Sequence, residues 1–267
     1  MDLLSELGHE LWVGDAAHIL KRLLEGRFPK IWMPSAEVRD LRQLLLHRYK
    51  LVTMRARVKN ELQHLCLNQG VQKKHRLWSV AGQQMLRELP LRPWAARRRE
   101  DLLKLMAMFA QQILPLDEAV KAEAQGDKMA RLLQTRPGVG PITALAYVLT
   151  MGDVSRFPRG KQVASYLGLI PREHSSGGRQ HLGAISKQGN RMMRMLLVES
   201  AQSAVRYDPG FRKEYLHRCH AKPKAVAKVA AARKLAVRLY WMLRTQTAYP
   251  EVVRIESSPR VPLAGEN

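Results

Sequence analysis

The run Pro171-Arg172-Glu173-His174-Ser175-Ser176-Gly177-Gly178-Arg179 sets two serine hydroxyls ahead of paired glycines. Arg172, Arg179, Lys187, Arg191 and Arg194 lie nearby in sequence. Residues of these types could attack phosphorus. A serine hydroxyl is a weak nucleophile until a base or a positive field helps it lose its proton. Arginine and lysine would stabilise the charge that builds on the non-bridging phosphate oxygens, and His174 is the candidate base. Ser-Ser-Gly-Gly is also an ordinary turn sequence, and residue types alone leave both readings open.

Upstream, Arg136-Pro137-Gly138-Val139-Gly140-Pro141-Ile142-Thr143 joins two helical patterns. Glycines permit positive φ and close backbone approach. Pro141 suits the first position of the following helix, whose free N–H groups would receive an anion such as a nucleic-acid phosphate. Gly138, Gly140 and Thr143 are therefore candidate backbone-binding positions, with Arg172, Arg179, Lys187 and Arg191 as a cationic rim. The shape resembles a helix-hairpin-helix; its plain structural alternative is a tight interhelical turn.

Composition favours a polyanionic partner. The 267 residues hold 45 Lys and Arg against 23 Asp and Glu, a formal charge of +22. Nucleic acid leads and an anionic membrane surface follows. No stretch approaches the roughly 18 apolar residues of a membrane span, and the start lacks the basic opening of a secretory signal. Cys66 and Cys219 lack paired spacing and read as reduced thiols in the cytoplasm. His217-Arg218-Cys219-His220 has metal-ligand types but no second cluster to complete a site.

The elements that must position these residues are mainly helical. Residues 1–35 are mixed and too few to bury a core alone. Ser35 is an N-cap, and from Glu37 to about Asn68 the apolar residues Leu44, Leu51, Val58 and Leu65 recur in heptads. A second stretch from Arg97 to Gln125 completes an antiparallel hairpin, with Pro115 as a kink. After it come helices over Met129–Gln134, from Pro141, over Gly160–Leu167, Asn190–Tyr207, Pro209–His217 and Lys222–Arg244. Residues 171–189 read as a hairpin or long loop, and 250–267 as a disordered tail.

Five blocks in order now carry a resemblance: Arg136-Pro-Gly-Val-Gly-Pro-Ile-Thr-Ala-Leu-Ala, Gly152-Asp-Val-Ser-Arg-Phe157, Ala164-Ser-Tyr-Leu-Gly-Leu-Ile-Pro-Arg172, Ser175-Ser-Gly-Gly178 and Ile185-Ser-Lys-Gln-Gly-Asn-Arg191. Together they resemble the C-terminal domain of the insertion sequence 110/116/902 family of bacterial transposases. Arg27-Phe-Pro-Lys-Ile-Trp-Met-Pro-Ser35 and the basic helix after it are similar to the family's junction and coiled coil. The resemblance implies a RuvC-like α/β domain with four acidic Mg²⁺ ligands (Asp, Glu, Asp, Asp), then a coiled coil and a serine-bearing helical domain. It implies DNA transposition by strand cleavage and rejoining, a guide RNA from the element itself, and a homo-oligomer formed through the coiled coil.

Carried onto this chain, the serine is Ser176, with Ser175 as the alternative. The acidic set does not carry over. Residues 1–35 offer Asp2, Glu6, Glu10, Asp15 and Glu25 without an Asp-x-x-Asp pair, and Asp15 alone matches the final acidic ligand. The expectation is a truncated copy: a RuvC-like remnant over 1–35, a coiled-coil region over 36–128, a serine domain over 129–249 and a tail over 250–267. Such a copy would be a nucleoid-associated DNA-binding transposase with defective catalysis. The rival is a non-catalytic nucleic-acid-binding protein that modulates a full-length relative.

Overall fold

The computed structural model describes residues 20–22, 24–26, 32–72, 76–173 and 181–249. Most of the RuvC-like remnant expected over 1–35 and the whole of the tail expected over 250–267 lie outside them.

Helix α1 runs Ala36–Asn68, and the Ser35 hydroxyl accepts from the Val38 N–H as the sequence predicts. Helix α2 (Val80–Glu88) opens on Ser79, which caps the Gly82 N–H. Helix α3 (Pro93–Gly126) starts earlier than expected, because Pro93 serves at its first position. It continues past Pro115, whose exposed side leaves the lost N–H at the solvent face. α1 and α3 lie antiparallel: Arg48 pairs with Asp117 and Arg98 with Glu61. The heptad residues Leu51, Val58 and Leu65 are buried in this pairing, so the chain's own helix answers the stripe.

Two cores result. At the far end of the hairpin, Val58, Leu62, Leu65 and Cys66 meet Leu77 from the turn before α2, Leu86 from α2 and Leu102 from α3. The sequence pattern predicts no helix there. The main core takes Leu45 from α1 and Val120 and Ala124 from α3 into the helices that follow. These are α4 (Lys128–Gln134), α5 (Pro141–Met151), α6 (Gly160–Tyr166), α7 (Arg191–Tyr207), α8 (Pro209–Ala221) and α9 (Lys224–Thr245). Helix α8 runs on beyond the expected His217, and α9 begins two residues later than expected, after Pro223.

In that core α9 lays Ala231, Ala232 and Ala236 against its neighbours, with Ala227 buried one turn earlier. Their small side chains permit close helix packing. Polar groups on neighbouring helices are satisfied across it: the Tyr147 hydroxyl donates to the Ala236 carbonyl at 2.6 Å and Tyr240 to the Phe157 carbonyl at 2.6 Å. Among the described residues one small sheet stands apart from the helices. Strands β1 (Pro171–Glu173) and β2 (Leu182–Ile185) pair antiparallel, Pro171 with Ile185 and Glu173 with Leu182, with an irregular register between. Of the two sequence alternatives for 171–189, the described residues form the hairpin.

Candidate functional site

The glycine turn links α4 to α5. Gly138 takes φ +88°, and an added Cβ would meet the Ala204 nitrogen at 2.3 Å and the Ser200 carbonyl oxygen at 2.8 Å. What Gly138 approaches closely is therefore the backbone of α7. Thr143 likewise faces inward, 6% exposed, with its hydroxyl 2.8 Å from that of Ser200. Of the candidate backbone-binding positions, these two sit in the packing between α5 and α7 rather than at the surface. Gly140 differs. It is exposed at φ −90°, nothing lies within 4 Å of its Cβ position, and it opens α5 without a side-chain cap. The first turn of α5 thus keeps N–H groups that lack intrahelical partners.

Beneath the turn lies a residue that no sequence pattern singles out. Arg136 is fully buried, pairs with Asp208 at 2.9 Å, and stacks under Tyr249 at 3.9 Å and Phe211 at 4.9 Å. Asp208 also caps α8 through the Phe211 N–H at 3.0 Å and accepts from the Tyr249 hydroxyl. Burial pushes the Arg136 guanidinium down, against the pull of Tyr249 and Asp208. Burial raises the Asp208 carboxyl, but the bonds from Tyr249 and Phe211 and the charge of Arg136 outweigh it and hold it below its ordinary value. Burial and the Asp208 bond push Tyr249 up to about 12. A single node therefore locks the start of the turn, the start of α8 and the chain beyond α9. The available signal was Asp208-Pro209, a cap followed by a proline at the first helical position.

The β1–β2 hairpin gathers part of the expected rim. Arg172 is exposed and donates to the Ser186 carbonyl at 3.2 Å. Next to Ser186 in sequence, exposed Lys187 takes φ +57°, and its N–H reaches the Gly168 carbonyl at 3.2 Å. Arg191 is exposed at the first position of α7, capped by Asn190. Arg194 donates to the Leu167 and Gln188 carbonyls and ties the hairpin to α6. These cations flank the chain that leads into and out of residues 174–180. Ser175, Ser176, His174, Arg179 and Asp15 themselves lie outside the described residues. The glycine turn and Arg191 sit at different points along α7, separated by on the order of 15 Å at 1.5 Å per residue.

A second joint brings together Trp32 from the family-like junction and Arg156 from the second family-like block. Trp32 stacks between Arg42, 5.4 Å away, and Arg156, 4.5 Å away. Arg42 donates twice to the Leu149 carbonyl, at 3.1 and 2.6 Å, near the C-terminal end of α5. The junction before α1 is thereby fixed to the domain that carries the glycine turn.

Residues 130–216, from within α4 to within α8, match the family model described as Transposase IS116/IS110/IS902 family. That segment is similar to the transposase domain of this family and is called the transposase domain below. A Pseudomonas aeruginosa protein named "Probable family 20 transposase" is 32% identical over 80% of this chain and 66% of its own length. A Coxiella burnetii transposase for insertion sequence element IS1111A is 31% identical over 65% of this chain and 49% of itself. A Moraxella lacunata "Pilin gene-inverting protein" is 37% identical over 43% of this chain and 37% of its length. The chain thus spans about two thirds of the length of the first of these relatives and about half of the second. The transposase domain includes the glycine turn, the β1–β2 hairpin and the whole of α7.

The Mg²⁺ implied by the resemblance has no fitting donor set among the described residues, which hold no group of three or more His, Cys, Asp or Glu placed to share an ion. Nor is any helix among them long and apolar enough to cross a membrane.

Proposed function

We propose that this chain is a DNA-binding protein of the insertion-sequence transposase lineage that holds DNA through its transposase domain. The observation that carries the reading is the exposure of Arg172 on β1, Lys187 just past β2 and Arg191 at the start of α7, on the chain that brackets the serine run. Phosphate oxygens of a DNA strand fit this rim. The uncapped first turn of α5 at Gly140 supplies a second anion-binding point, the grip of a helix-hairpin-helix. Ser176 is the residue to which the family resemblance gives the attack on phosphorus, with Ser175 as the alternative. Its Oγ–P bond would form as the bond from phosphorus to a sugar oxygen breaks, and the serine proton would leave on that oxygen.

In this reading the chain binds DNA but does not complete transposition by itself. The family's paired-aspartate stretch is replaced here by Val13-Gly14-Asp15-Ala16-Ala17, with one carboxylate. One carboxylate cannot hold a catalytic metal pair, and no step is assigned to Mg²⁺. The partners follow from the same resemblance: DNA, an element-encoded RNA and further copies of the chain. The test is duplex binding together with denaturing gels in Mg²⁺. The expected result is salt-sensitive binding without strand cleavage, weakened in Arg172→Ala/Lys187→Ala/Arg191→Ala protein. Cleavage in Mg²⁺ that vanishes in Ser176→Ala protein would overturn the non-catalytic part.

A further inference from the structure

Helix α8 is anomalous as a structural element. Of its thirteen residues only Phe211 is buried. A helix that is polar on nearly all sides gains little from core packing, so its composition points outward. Residues 212–228 carry Arg212, Lys213, Arg218, Lys222, Lys224 and Lys228 against a single acid, Glu214. That carboxylate is already held by Lys234 at 2.6 Å and Arg238 at 3.1 Å, both from α9. None of the six cations forms an ion pair with a described acidic residue, and all but half-buried Arg218 are exposed. Lys213, His217 and His220 follow one another at helical spacing along one side of α8. Lys224 and Lys228 do the same on the first turns of α9, both exposed at the edge of the face that buries Ala227 and Ala231.

We propose that α8, the turn at Lys222 and the first turns of α9 form a second nucleic-acid contact, one that follows the sugar–phosphate backbone of duplex DNA. The inference rests on the reading that the chain binds DNA, and adds a face outside the glycine turn and the β1–β2 rim. Duplex is favoured over single strand by the aromatic residues. Single-strand binders stack bases on exposed rings, whereas here Phe211 is buried and Tyr215 half-buried. The face carries no Asn or Gln, the side chains suited to reading adenine. Contacts from its lysines and arginines to phosphate set position, not sequence. The unanswered charge of α8 and α9 is then complementary to its ligand.

The test is the salt dependence of binding to a duplex of arbitrary sequence, with the full chain. Every phosphate that the protein ceases to neutralise lowers the slope of log K against log salt by about 0.9 on duplex DNA. Lys213→Ala/Lys224→Ala/Lys228→Ala protein should give a slope smaller by about 2–3, with helix content and thermal midpoint unchanged. The corresponding triple Lys→Arg protein should keep the wild-type slope. An unchanged slope in the alanine protein, when Arg172→Ala/Lys187→Ala/Arg191→Ala lowers it, overturns this face and leaves the proposed function standing. A slope change confined to double-stranded RNA or to single strands also overturns it. Failure of the wild-type chain to bind any nucleic acid overturns both readings.

Discussion

The α1–α3 hairpin and the transposase domain are both rich in lysine and arginine, yet they treat those charges in opposite ways. On the hairpin many cations are answered locally: Arg48 by Asp117, Arg97 by Asp101, Arg98 by Glu61, Arg99 by Glu100, and Lys59 by the face of Trp78. In the transposase domain Arg136 is buried at the centre, while Arg172, Lys187 and Arg191 on the β1–β2 rim and Arg212 and Lys213 on α8 face solvent without a described acidic partner. A shared excess of cations thus conceals unequal availability. Net charge shows that a chain is suited to a polyanion; the pairing pattern shows which surface remains to meet it.

The buried charge of the domain is its most sensitive point. Removing one partner of a buried pair leaves the other uncompensated, at about 3–5 kcal/mol. Arg136→Ala is expected to lower stability to urea by that much, since Asp208 is only 12% exposed and would lose its guanidinium. The same node has a pH signature. Because the folded Asp208 carboxyl lies below its ordinary value, its contribution is whole above the unfolded value of about 4 and is lost as pH falls through the lower folded one. Asp208→Asn should therefore flatten the acid limb of the stability profile. An acid limb identical in wild type and variant would remove Asp208 from this role.

Much of this architecture is legible in the sequence. Ser35 marks the start of α1, the apolar heptads mark its buried face, and Asn190 with Met193, Leu197 and Ala201 marks α7. These are local signals, caps and periodicities, read within a few turns. The Arg136 node is not legible, because it joins residues from 136 to 249 and no local pattern encodes such a meeting. Helix α2 escapes for a related reason: it is nine residues long and buries only Gly82 and Leu86. Its place is set by the pocket that Leu62 and Leu102 offer. In the candidate site, Arg172, Lys187 and Arg191 are exposed, as their charge alone would lead one to expect. Gly138 and Thr143 show where residue type misleads, since a glycine turn and a threonine serve helix packing as readily as they serve a ligand.

That ambiguity can be split within the turn itself. Gly138→Ala combines positive φ with a Cβ forced against the backbone of α7, so it should destabilise by more than about 1 kcal/mol. Gly140→Ala meets open space at φ −90° and should change stability by less than about 1 kcal/mol. If the first turn of α5 contacts phosphate, the Gly140 variant loses duplex affinity while its thermal midpoint barely moves. Equal affinity in Gly140→Ala and wild type would make the whole turn a packing device.

The smallest effect tests the hairpin side of the comparison. Arg98 and Glu61 bridge α1 and α3 at 2.9 Å, both about half exposed, and water screens such a pair. A double-mutant cycle with Arg98→Ala and Glu61→Ala should give a coupling of roughly 0.2–1 kcal/mol. The informative readout is the affinity of the single mutants for duplex DNA. Glu61→Ala frees the Arg98 guanidinium without disturbing the buried Leu62 beside it. If local pairing is what silences the hairpin, that variant gains salt-sensitive affinity although its stability hardly changes. A null result would mean that the hairpin is kept from DNA by its position in the molecule, and that pairing on its surface is incidental.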